Sequence, residues 1–131
     1  MTRRSEEVAT ATANTSGQAW PWPDSLDALV AAPQYHRLVM EDERVRVLET
    51  RIAPGQVVPL HTHRWPGVHY IVSWSDFVRR DEKGNVTLDT RQAGFVLQSG
   101  GALRAEPLTP HSVENVGTVE LCAINFEIKQ P

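Results

Sequence analysis

The sequence predicts an all-β domain entered through a short helical arm, and two observations carry that prediction. From Tyr35 onward the chain breaks into short runs of β-branched and aromatic residues separated by turn chemistry, and no run beyond about Ala32 keeps a helical period. Many short strands at this spacing indicate an antiparallel sandwich or a small barrel. The length, 131 residues, suffices for one core and one domain.

Residues 1–19 are rich in Thr, Ala, Ser and charge, with Val8 the one strongly apolar residue after Met1. They are expected to be a disordered, flexible tail, because burial cannot offset their ordering entropy. Residues 20–34 form the arm. Trp20-Pro21-Trp22-Pro23 is stiff and extended, and Asp24 or Ser25 is placed to cap a helix that runs to about Ala32 and stops before Pro33. Leu26, Leu29 and Val30 supply its apolar face, and the two tryptophans are expected to clamp the arm onto the barrel or onto a second subunit. Residues 35–131 make the barrel, with strands near 36–40, 44–52, 57–63, 67–74, 76–80, 85–90, 95–98, 102–105, 110–116 and 119–128. Turns fall at Glu41-Asp42-Glu43, Pro54-Gly55, Asp81-Glu82-Lys83-Gly84-Asn85, Gln92-Ala93-Gly94, Ser99-Gly100-Gly101 and Asn115-Val116-Gly117.

Composition narrows the functional classes. Thirteen Lys and Arg against sixteen Asp and Glu give a net charge of −3 with no basic stripe, which argues against a nucleic-acid partner. No apolar run is long enough for a membrane span, and no apolar segment suited to a signal peptide appears before Trp20. A single cysteine, Cys122, allows no intrachain disulfide and no thiolate zinc cluster, so a cytoplasmic protein is expected.

The chemistry concentrates between Pro54 and Val72. His61, His63 and His69 lie within nine residues, and the first two stand at i and i+2. On an extended segment this spacing puts both imidazoles on one face, which is half of a metal site. A further histidine, His111, follows Pro110 and leads into a strand, with Asn115 four residues on. Alone, such a histidine reads as a hydrogen-bonded turn residue.

Together the two segments, a Gly, five residues and His-x-His followed some fifty residues later by His-x-x-x-Asn, resemble the paired motifs of the cupin superfamily. The resemblance spans about residues 35 to 128 and is closest to small single-domain cupins. It implies a double-stranded β-helix, or jelly-roll barrel, that holds a divalent transition metal. By that resemblance His61, His63 and His111 match ligand positions, Gly55 and Gly100 match turn glycines, and Asn115 closes the second motif. The departures are specific. The family's glutamate ligand falls on Gly67, or on Val68 if one residue is inserted, and neither side chain can bind metal. His69 is a candidate fourth ligand if the ungapped alignment holds, and faces outward if it does not. Three neutral imidazoles suit Fe(II), Cu, Zn or Ni, the resemblance to three-histidine cupins that use oxygen implies iron first, then Zn, Ni, Mn or Cu, and omission of the carboxylate favours an anionic substrate.

Other residues are weighed beside these. His69 and Gln98 are the polar groups expected near a bound substrate, and Tyr70, Trp65 and Arg104 are candidates for lining its pocket. Trp74 is a weaker candidate of the same kind, and Arg64 and Arg104 are candidates to bind a substrate carboxylate in bidentate fashion. Cys122 shares a strand face with Ile124 and Phe126 and reads as a small buried hydrophobe, and His36 is left structural. The leading functional expectation is a metal-dependent enzyme acting on a small organic molecule, dioxygenase-type or isomerase-type, and a homodimer by family resemblance. Its rival is a non-catalytic cupin that binds a small ligand or a structural metal.

Overall fold

The computed structural model describes residues 20–94 and 98–129; the expected tail over 1–19 and most of the strand expected at 95–98 lie outside the described residues. The described chain has nine strands: β1 His36–Glu41, β2 Val45–Ile52, β3 Val57–His61, β4 Gly67–Ser73, β5 Phe77–Asp81, β6 Val86–Asp89, β7 Ala102–Ala105, β8 His111–Asn115 and β9 Leu121–Ile128. They form two antiparallel sheets in the orders β1-β2-β9-β4-β7 and β3-β8-β5-β6, a jelly-roll barrel. Among the described residues no helix is long and apolar enough to cross a membrane.

Alternation fixes which residues face inward. β2 and β9 pair over eight positions, from Val45 opposite Ile128 to Ile52 opposite Leu121. Thr50, Ile52, Leu121, Ala123, Asn125 and Glu127 line the cavity, and strand alternation puts the side chains of Cys122, Ile124, Phe126 and Ile128 on the outer face. Cys122 is buried there as expected, whereas Phe126 and Ile128 stay exposed. At one end Ala32, Ile52, Val58 and Leu121 form a buried cluster against which Tyr35, Trp74, Phe77 and Val113 pack.

Asn115 ties the second motif to the rest of the barrel. Its buried amide donates to the carbonyls of Ile52 (2.8 Å) and Val119 (2.9 Å) and accepts from Ser75 Oγ (2.8 Å) and the Gly117 N–H (2.9 Å). All four capacities of the side chain are thereby met, the condition for burying an amide. Across the same corner, the Pro54-Gly55 turn needs the left-handed backbone that glycine adopts freely (φ 82°), and the Gly55 N–H donates to the Asn115 carbonyl at 2.9 Å.

The arm departs from expectation in detail. In place of one helix capped at Asp24 or Ser25 there is a 3-10 turn, Asp24–Leu26, then a single α-turn, α1 Ala28–Ala31, capped by the Asp27 side chain through the Leu29 N–H (3.2 Å). The buried face is Ala28 and Ala32, not Leu29 and Val30, and Val30 is exposed. Small residues win because the arm's backbone lies directly on the barrel: the Ala28 N–H donates to the Thr62 carbonyl (3.0 Å) and the Thr62 N–H to the Leu26 carbonyl (2.7 Å). The Arg64 guanidinium stacks over Trp20 at 4.7 Å, which clamps the start of the arm onto its own barrel.

Candidate metal centre

The arm seals the barrel beneath four histidines. His61 ends β3 directly opposite His111, which begins β8, with ring centroids 4.6 Å apart. Thr62 turns outward into its bridge with the arm, so His63 returns to the inside as the i, i+2 spacing requires, 5.3 Å from His61. The fourth is His36, the one buried residue of β1, at 4.9 Å from His61 and 5.4 Å from His63. His36 is therefore no isolated structural residue. One ligand nitrogen from each of His36, His61 and His63 fits within a 4.8 Å span, and His111 joins through His61 while lying 6.4 Å from His63.

Each of the four rings has its Nδ1 occupied. His61 Nδ1 donates to the Pro59 carbonyl (2.8 Å), His111 Nδ1 to the Thr109 carbonyl (2.8 Å), and His36 Nδ1 to the Ala32 carbonyl (3.1 Å). His63 Nδ1 bonds Glu127 Oε2 at 2.7 Å. A carbonyl oxygen can only accept, so in the neutral ring the proton sits on Nδ1 and the lone pair is left on Nε2. Burial, and then the neighbouring histidines, push the His36 pKa down to about 3; burial likewise lowers His61, His63 and His111. The cluster is thus four neutral imidazoles held by second-partner hydrogen bonds, the donor set and support that divalent transition metals favour.

Behind His63 runs a buried ion network. Arg46 Nε donates to Glu127 Oε1 (2.8 Å), and its two terminal nitrogens reach both oxygens of Asp27 (3.0 and 2.9 Å). Burial works against the charge on Asp27, but the Arg46 hydrogen bonds and charge prevail and hold the carboxyl below its ordinary value. Burial raises Glu127, with Arg46 opposing. The capping residue of α1, the guanidinium, the carboxylate and His63 form one chain from the arm to the centre.

The cavity above the histidines measures about 260 Å³ and is lined mainly by apolar side chains from both sheets. His69 faces into it, 6.1 Å from His63, and burial keeps its imidazole below the ordinary pKa. Trp65 lines the same cavity, with the Arg46 guanidinium 5.0 Å from its ring and the Lys129 ammonium 5.1 Å away. Two expectations fail on alternation and exposure. Tyr70 adjoins His69 on β4 and so points to the outer face with Val68 and Val72; Gln98 is exposed and does not line the cavity. Arg104 reaches the cavity rim but spends its guanidinium on Glu106 (2.8 Å), as Arg64 does on Asp24 (3.1 Å).

No family model and no curated protein matches the chain. Solved structures do. A cupin domain from Bordetella pertussis Tohama I is 24% identical, with 72% of this chain and 92% of that one covered and a TM-score of 0.59. A protein with a double-stranded β-helix domain from Klebsiella pneumoniae subsp. pneumoniae is 20% identical over 71% of this chain and 70% of its own, with a TM-score of 0.50. The chain has the cupin fold. Set against the cupin pattern, the loss of glutamate at Gly67 acquires a physical reason. Gly67 pairs with Glu127 across β4 and β9, and a Cβ there would run into the Phe126 carbonyl, so no side chain fits. Gly67, His69 and Ile71 all line the cavity, so His69 faces inward. The carboxylate beside the cluster is Glu127, on the strand paired with β4, and its Oε2 bonds His63 Nδ1. Neither His36 nor Glu127 belongs to a motif; the signal available for Glu127 was its phase on β9, two residues beyond Asn125 and opposite to the Cys122, Ile124, Phe126 face.

Proposed function

We propose that the chain is a metal-dependent cupin whose centre, His36, His61, His63 and His111, holds one divalent transition metal, iron foremost, and that it acts on a small organic substrate in the adjoining cavity. The observation that carries this reading is the four clustered imidazoles, three buried and His63 half-buried, each tied by Nδ1 so that Nε2 is left as the donor. A bound divalent metal supplies Lewis acidity, and a redox-active one also supplies electrons to dioxygen, which keeps dioxygenase-type and isomerase-type chemistry together here. His69 is the proton-transfer candidate: a neutral imidazole facing the cavity, within reach of a bound molecule and not tied to the centre by a hydrogen bond. A homodimer fits the exposed apolar outer face of the larger sheet, where Val68, Tyr70, Val72 and Phe126 stand together.

The test is elemental analysis of untagged protein, with anaerobic Fe(II) loading beside it. About one metal per chain is expected for the native protein. His61→Ala should fold and hold none. Native protein that stays metal-free after loading would leave a ligand-binding or scaffolding barrel.

A further inference from the structure

Among the described arginines, seven engage carboxylates. Arg37 and Arg51 share Glu49, Arg46 holds Asp27 and Glu127, Arg64 takes Asp24, Arg80 Glu114, Arg91 Asp89 and Arg104 Glu106. Of the other two, Arg44 is exposed in the β1–β2 turn. Arg79 differs from all of them. It is half-buried on β5, lines the cavity, and has no carboxylate partner among the described residues. Burial is the one influence acting on it, and that pulls its pKa below the ordinary guanidinium value.

A guanidinium does not shed its proton at neutral pH, so burial without a counter-ion is a standing cost, relieved when an anion arrives. Position says which anion. Arg79 lies opposite Val113, two residues along β8 from His111, so its backbone sits roughly 8 Å from that of His111 by strand geometry. It is close enough to disfavour protonation of both His69 and His111. The cavity wall it shares is largely apolar, with Phe77 on its own strand, Leu88 and Val113 on the flanking ones, and Ile71 and Leu103 from the other sheet. The polar groups lining the same cavity include His69, His111 and Glu106, the last paired with Arg104. One planar guanidinium in an apolar wall matches one carboxylate bidentately, whereas a phosphate dianion would call for further donors. The cavity, about 260 Å³, is below the roughly 300–1,000 Å³ of drug-sized sites.

We infer that Arg79 anchors the carboxylate of a small organic acid whose apolar body lies in the cavity and whose far end reaches toward His69 and the histidine cluster. This rests on the cavity being the reactive site proposed above. It replaces the sequence-level candidates Arg104 and Arg64, whose guanidinium groups are already paired at the surface.

The experiment titrates full-length protein, as purified and after chelator treatment, with benzoate, phenylacetate, hexanoate and pyruvate, following tryptophan fluorescence and calorimetry. Benzamide serves as the uncharged control and inorganic phosphate as the competing anion. At least one of the acids is expected to bind both preparations at millimolar concentration or tighter, with benzamide and phosphate weaker. Arg79→Met should weaken the acid about tenfold or more and leave benzamide unchanged, while Arg79→Lys keeps part of the affinity. Metal content should be the same in all variants, which separates this inference from the metal centre. Arg79→Gln gives the same readout if Arg79→Met does not fold. The inference is overturned by equal acid affinity in native and Arg79→Met protein, by failure of all four acids, by binding confined to the metal-loaded form, or by phosphate binding more tightly.

Discussion

The four histidines are held in two different ways. His61 and His111, paired across β3 and β8, each donate Nδ1 to the backbone carbonyl two residues earlier, Pro59 and Thr109, both at 2.8 Å. Their orientation is set within three residues of chain. His63 depends on Glu127, 64 residues away, and His36 on Ala32, four residues back at the end of an arm whose Asp27 is pinned by Arg46. One pair is therefore preset wherever the two strands form, and the other exists only when the arm is docked and the buried network is intact.

The largest effect should come from breaking that network. Arg46→Met removes the cation between Asp27 and Glu127 and leaves two carboxylates buried without it, a change of about 3–5 kcal/mol in unfolding free energy. Urea denaturation of metal-free protein measures it, with the slope m showing whether the arm was already loose. A loss below about 1 kcal/mol would mean that water reaches the pair and that the arm does not depend on it.

The same comparison explains what could be read from the sequence. The spacing His61-Thr62-His63 and the His111-to-Asn115 segment are local, so alternation and turn chemistry sufficed to place the strands and the first two histidines on one face. Nine of the expected strands appear with ends shifted by two residues at most. His36 was illegible because β1 is an edge strand with one buried residue, which gives no alternation to read. Glu127 was masked by its own strand, since the more apolar side of β9 is the outer one and draws the eye to Cys122, Ile124 and Phe126. Arg79 sits beside Arg80 in Phe77-Val78-Arg79-Arg80, where only the register against β8 tells which guanidinium enters the cavity and which meets Glu114.

A middle-sized effect distinguishes ligand from support. Glu127→Gln keeps an acceptor for His63 Nδ1 but removes the charge, and should lower metal affinity roughly 10–100-fold. His36→Ala should lower it further if its Nε2 binds metal. Competition with a chromogenic chelator ranks the two variants against native protein. An affinity for His36→Ala equal to the native value would reduce the centre to the three motif histidines.

The smallest effect per unit of perturbation is acid destabilisation of the metal-free protein. Burial, then His63 and His61, hold His36 at about 3, against an ordinary value near 6.5 once unfolded. As pH falls below about 6.5 the unfolded chain takes up a proton at this residue that the folded chain refuses, so stability declines until about pH 3, by at most about 1.4 kcal/mol per pH unit for this one group. His61, His63 and His111 are shifted in the same direction and steepen the slope. Glu127 acts oppositely, because its raised value lets the folded chain take up a proton first. Urea midpoints between pH 7 and pH 5 should fall for native protein and fall less steeply for His36→Asn. Equal slopes would show that His36 takes up its proton alike in the folded and unfolded chain, and that the arm-dependent half of the cluster is open to water.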